Sequence, residues 1–108
     1  MWLNGGTYGN IRYISENTVR KFTGFHEGSH RGLGFDKPAR KTIIGDGAPR
    51  ESYGHTGFTG TCIWIDPVNE LVFVFLSNRV HPNQKNWRIN RLRIRQKIHT
   101  KVYESLVN

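Results

Sequence analysis

The stretch "LVFVFL", residues 71–76, constrains the fold of this chain more than any other. Side chains alternate along a strand, so Leu71, Phe73 and Phe75 point one way and Val72, Val74 and Leu76 the other. Both faces are apolar, and a strand of that kind is normally central and covered on both sides. It follows "TCIWID", residues 61–66, after the short polar link "PVNE", which is the pattern of a β-hairpin. Covering both faces takes two layers, yet the chain offers only one long helical pattern and one short one. The expected fold is therefore α+β. An antiparallel sheet of three to four strands carries a C-terminal amphipathic helix, and the chain either pairs with a copy of itself or is an incomplete part of a larger domain.

The short helix is expected in "YISENTVRKFTG", residues 13–24, where Ser15 can cap it, Glu16 suits its positive end and Gly24 can stop it. The long one is expected from about Trp87 to Leu106. There Ile94, Ile98, Val102 and Leu106 recur every four residues and define the apolar stripe. "RGLGF", residues 31–35, is a strand candidate weakened by its glycines, and residues 36–52 read as a loop punctuated by Pro38, Gly45, Gly47 and Pro49. The 108 residues suffice for one small domain, read here as a single unit from 1 to 108. No apolar run is long enough to span a bilayer. "MWLNGGTYGN" lacks the features of a secretory signal and reads as though begun within a domain. The single cysteine, Cys62, excludes an internal disulfide.

The net charge of +8 is concentrated in the tail. Residues 79–108 hold eight basic side chains against Glu104 alone, whereas residues 1–78 are nearly balanced, eight against seven. A basic helix can serve a nucleic acid or an acidic partner, which makes a binding or assembly module the alternative reading. Nucleic acid is disfavoured by the scarcity of stacking side chains there, Trp87 and Tyr103 only, and a solvated helix face explains the charge more simply.

Two short stretches suggest chemistry. "HEGSH", residues 26–30, fits the zinc-hydrolase pattern in which two histidines one helical turn apart bind the metal. That mechanism requires a helix, and Gly28 and Ser29 inside the stretch oppose one, so a solvent-facing loop without metal is expected. "GHTGFTGT", residues 54–61, places His55 and Thr56 between glycines just before a buried strand. Such a segment can present an imidazole, a hydroxyl and a backbone N–H to a substrate lying close against it.

The order "SYGHTGFTGT", "CIWIDPVNELVFVFLSNRVHP" and a terminal amphipathic helix resembles the end of the serine β-lactamase and penicillin-binding-protein superfamily, in particular its class C β-lactamase-like hydrolases. "NGGTYGNIRYISENTVRKFT" and "RGLGFDKP" are similar to the segments that precede that end, so the likeness covers residues 3–106. It implies that His55, Thr56 and Gly57 form the third active-site motif, on the substrate side. It also implies that the backbone N–H of Phe58 is an oxyanion donor, that no cofactor takes part, and that the parent protein works in a bacterial periplasm or cell envelope.

Histidine in place of the family's lysine leaves the site without a fixed charge, which points towards peptidase or esterase chemistry. The nucleophilic Ser-x-x-Lys is absent. Three residues after Ser15, Ser29, Ser52, Ser77 and Ser105 stand Thr18, Gly32, His55, Val80 and Asn108. Tyr8-Gly9-Asn10 matches the second motif by letter but is rejected as a helix-ending turn in the wrong place. The resemblance thus implies a C-terminal portion whose partner is the missing nucleophile-bearing half of the domain, with self-association as the other way to cover the sheet.

Overall fold

The structure is a computed structural model that describes residues 1–38 and 43–106. Eight elements follow in order: β1 Thr7–Tyr8, β2 Ile11–Arg12, α1 Glu16–Thr23, β3 Tyr53–Thr56, β4 Cys62–Asp66, β5 Leu71–Phe75, α2 Arg88–Arg91 and α3 Ile94–Ser105. The sheet has the order β3-β4-β5 and is antiparallel throughout. It is the expected α+β architecture, with three strands and a C-terminal helix.

The hairpin forms as its composition requires, and Asp66 fixes its turn. One carboxylate oxygen accepts the backbone N–H groups of Val68 (2.8 Å) and Asn69 (3.1 Å). The other accepts the Asn69 amide and the Tyr103 hydroxyl (2.7 and 2.8 Å), tying the turn to α3. Burial alone would raise the Asp66 pKa, but these four hydrogen bonds outweigh it and hold the carboxyl below its ordinary value.

Register separates the two faces. Trp64 opposes Phe73 and Cys62 opposes Phe75, and these lie on the side covered by α3, where Ile44 completes a buried cluster. Ile63 opposes Val74 and Ile65 opposes Val72 on the other side. Ile65 and its partner Tyr53 are buried, at the end where rings run from Trp2 through Phe35 to Tyr53 with centroids 5.0 and 5.2 Å apart. The rest of that face is open: Ile63 is 39%, Val74 53% and Leu76 78% exposed.

α1 begins and ends as expected, with the Ser15 hydroxyl accepting from the Thr18 N–H at 3.1 Å and Gly24 at the C-cap. The C-terminal helix differs from expectation in two ways. It breaks at Leu92–Arg93, where Arg93 takes the left-handed conformation (φ 52°). The stripe that faces the sheet is also largely polar, although Val102 packs against the buried cluster as expected. Arg95, Gln96 and His99 are buried, while Ile98 and Leu106 are 41% and 44% exposed. His99 stacks on Phe73 with ring centroids 4.3 Å apart, and its Nδ1 accepts the Gly45 N–H at 3.3 Å. The polar stripe is accommodated in part by specific partners, Arg95 reaching the Gly60 and Thr61 carbonyls and His99 the Gly45 N–H and the Phe73 ring.

"RGLGF" forms no continuous strand. It contributes a narrow turn whose Arg31 bridges Asp36, which in turn bridges Gly54 of β3. Tyr8-Gly9-Asn10 is the tip of a two-strand hairpin, with Gly9 at φ 57°, rather than the end of a helix. No helix among the described residues is long and apolar enough to cross a membrane.

Candidate functional site

β3 brings His55 to the surface at the rim of the open face. Ile63 and Val74, its neighbours across the sheet, carry the apolar strip onward. His55, Thr56, Gly57, Thr61, Ile63, Val74 and Leu76 surround a shallow hollow of about 310 Å³. Strand alternation turns Thr56 away from His55, into the row of Cys62 and Phe75, although both line the hollow. A larger hollow of about 650 Å³ lies between α1 and β3 and is bordered by Trp2, Val19, Phe25, Lys37 and Tyr53. None of His55, Thr56, Gly57 or Phe58 borders it.

The turn after the motif is tightly braced. Gly57 N–H donates to the Thr61 carbonyl (2.8 Å) and Gly60 N–H to the Gly57 carbonyl (3.0 Å). A side chain at Gly57 would meet the Thr61 hydroxyl at 2.2 Å, so the demand for glycine there already arises within the chain. Two arginines of the basic tail hold this turn from behind. Arg95 donates to the Gly60 and Thr61 carbonyls (3.1 and 3.3 Å). Arg79, only 6% exposed, is sandwiched between the rings of Phe58 and Trp87, at 4.7 and 3.7 Å, and donates to the Gln84 and Asn86 carbonyls. Part of the tail's positive charge therefore serves the fold, which sequence reasoning assigned to a solvated face.

His55 is itself held on both ring nitrogens. Nδ1 lies 2.7 Å from the Thr56 carbonyl, which can only accept, and Nε2 lies 2.9 Å from Arg31 Nη2, which can only donate. The partners assign a neutral imidazole protonated on Nδ1. Arg31 is anchored in turn by Asp36, Nε to Oδ1 at 2.9 Å. Sequence reasoning missed Arg31 because it lies 24 residues before His55, and only the pairing of Asp36 with Gly54 brings the two together.

Other reactive groups lie elsewhere. "HEGSH" is a turn with Gly28 at φ 73°, so His26 and His30 share no helical face, and His26 Nε2 is taken by the Lys21 carbonyl at 2.9 Å. Among the described residues no three His, Cys, Asp or Glu side chains gather to hold a metal. Burial raises the Cys62 thiol, with Arg95 and the Phe75 amide acting against it, so the one cysteine is a poor nucleophile. Burial beside aromatic rings lowers the Lys37 ammonium to about 8, and its Nζ donates to the Glu51 carbonyl at 2.9 Å.

A glycine-flanked His-Thr pair stands on an edge strand beside a bare apolar strip of sheet, and comparison with known proteins gives the chain a family. The beta-lactamase family model matches residues 9–96, and the chain belongs to that family. It is 40% identical over 92 residues, 82% of its length, to proteins of Salmonella enteritidis PT4 and Salmonella newport named "Putative D-alanyl-D-alanine carboxypeptidase". The chain spans about 21% of the length of those relatives.

Proposed function

We propose that the chain is the C-terminal part of a β-lactamase-like serine hydrolase domain, supplying the His-Thr-Gly wall of the site while the nucleophile comes from a segment outside it. One observation carries this reading. The exposed apolar strip of Ile63, Val74 and Leu76 borders the same hollow as His55, Thr56 and Gly57. An element packed on that strip would bring a serine and its lysine directly against the motif. In the parent reaction the serine hydroxyl attacks an amide, lactam or ester carbonyl, the leaving group departs with a proton, and water then hydrolyses the serine ester. The backbone N–H of Phe58, in the turn braced by Arg79 and Arg95, would receive the developing oxyanion, an interaction worth about 3–4 kcal/mol in comparable sites. The names of the relatives support a peptide ending in a free carboxylate as the substrate class.

Labelling tests the reading. The chain alone should neither turn over nitrocefin nor take up a fluorophosphonate or β-lactam probe. A protein that adds the upstream half with Ser-x-x-Lys should be labelled on a serine outside residues 1–108. In that protein His55→Ala should lower the labelling rate by about 10²-fold or more. A probe adduct on any serine of the chain itself would overturn the proposal.

A further inference from the structure

We infer that Lys37 is a nucleophilic amine in a second binding site, where a small aromatic aldehyde or ketone lies among the rings of Trp2, Phe25 and Tyr53 and forms an imine on Nζ. The site is the hollow of about 650 Å³ between α1 and β3, a size usual for small-molecule sites, and no residue of the His-Thr-Gly motif borders it. Lys37 borders it while being only 3% exposed. A lysine head group is normally left in water, so its burial here is informative. Its Nζ lies 4.9 Å from the centre of the Phe25 ring and 5.6 Å from that of Tyr53. It donates to the Glu51 backbone carbonyl at 2.9 Å, and among the described residues no carboxylate forms an ion pair with it.

Two features activate a lysine amine, desolvation by apolar walls and a second cation nearby. Both are present. Trp2, Val19, Phe25 and Tyr53 supply the walls, and the Arg50 guanidinium stands over the same Phe25 ring, 4.8 Å from its centre. Burial is the main cause that lowers the ammonium to about 8, with Glu51 opposing it and Arg50 adding to it. A substantial share of Lys37 therefore carries a free electron pair near neutral pH. The step balances without an oxidant or reductant. The ammonium gives one proton to solvent, and the Nζ electron pair adds to the carbonyl carbon. The carbonyl oxygen then leaves as water, taking one proton from Nζ and one back from solvent. The iminium that remains keeps one N–H, which still meets the Glu51 carbonyl. The rings favour an aromatic partner, because they stack on its flat body and continue to hold a cation over their faces once the iminium has formed.

Reductive trapping tests the site in the chain as it stands. Benzaldehyde and cyanoborohydride convert any imine to a stable benzylamine, and mass spectrometry of the digested protein reads the rate at each lysine. Lys21 and Lys97, both exposed, are the internal standards. Near neutral pH, Lys37 should be benzylated about 10-fold faster than either or more, since its free-amine fraction is far larger than theirs. Acetaldehyde, which has no ring, should show a severalfold smaller preference for Lys37. Phe25→Ala should bring the two aldehydes level at Lys37 while leaving Lys21 and Lys97 unchanged. The wild-type ratios stand by themselves, so the reading survives if that variant does not fold. Benzylation of Lys37 no faster than of Lys97 would overturn the nucleophilic amine. Equal preference for the two aldehydes in the wild type would overturn the aromatic site. Neither result touches the labelled serine of the proposed function, because the two hollows are separate.

Discussion

The two faces of the sheet were built from equally apolar strands and have met different fates. On one side Trp64, Phe73 and Cys62 are closed over by α3 and by Ile44. On the other, Ile63, Val72 and Val74 face outward over half the sheet. The closed face is held by polar anchors as much as by apolar contact: Asp66 to Tyr103, Arg95 to the Gly60 and Thr61 carbonyls, His99 on Phe73. On the open face the histidine of the motif stands at the rim, tied through Arg31 to Asp36, and the apolar strip of Ile63, Val74 and Leu76 beside it is bare. The contrast teaches that apolar composition alone does not decide which side of a sheet is packed. One side carries the buried core, and the other is a bare apolar surface over much of its area.

The sharpest way to break this contrast is to truncate one large side chain on each side. Trp64 is 2% exposed, and Trp64→Ala should cost about 3–5 kcal/mol, enough to abolish cooperative unfolding in so small a domain. Val74→Ala, on the same sheet but 53% exposed, should cost under about 1 kcal/mol in the chain. Urea titrations of the two variants compare the faces directly. Equal losses would mean that the open face is covered in solution, as by a second copy of the chain.

The closed face was only partly legible beforehand. The hairpin, the Ser15 cap and the division of residues 71–76 between two faces follow from local rules that this structure obeys. The inward stripe of α3 did not follow. A four-residue period of Ile94, Ile98, Val102 and Leu106 marks an apolar stripe but cannot say what it will pack against. Here the sheet takes His99 and Arg95 because ring and hydrogen-bond partners wait for them, Gln96 is buried beside them, and Ile98 is left outside. The same limit applies to the site. His55, Thr56 and Gly57 are contiguous and can be read as one motif, whereas Arg31 joins them through a tertiary bridge that no spacing rule announces.

His99 offers a second way to probe the closed face, through pH. Burial lowers its pKa from 6.5 to about 4, against a smaller opposing pull from Asp66, and its Nε2 is buried with no hydrogen-bond partner among the described residues. The folded pKa lies below the unfolded one. Above about pH 6.5 both states are neutral and nothing is lost. Between about 6.5 and 4 the unfolded chain takes up a proton that the folded chain refuses, so stability should fall as pH falls. At completion the loss should be on the order of 3 kcal/mol, since each tenfold change in proton affinity is worth about 1.4 kcal/mol. Asp66, whose pKa is held below the ordinary carboxylate value, contributes its own loss only at still lower pH, so the two windows separate. Urea midpoints at pH 7, 5.5 and 4 would record the slope, and His99→Phe should flatten it. An unchanged slope in that variant would assign the acid sensitivity to another group.

The smallest expected effect within the chain is the most informative about the open face. Leu76 is 78% exposed and lines the hollow beside the motif, so Leu76→Ser should change the stability of the chain by no more than about 0.5 kcal/mol. If the nucleophile-bearing half docks on this strip, the same substitution in the protein that contains both halves removes a leucine from a buried contact, and it should then cost about 1.5–3 kcal/mol. It should also slow labelling of the serine, because the docked element would sit less firmly against His55. The difference between the two backgrounds is the measurement. It isolates what the strip does when covered from what it does when bare, and no property of the closed face enters it. A substitution that is equally silent in both backgrounds would mean that the rest of the domain attaches elsewhere, and the apolar strip beside the His-Thr-Gly motif would lose its place in the argument for a shared active site.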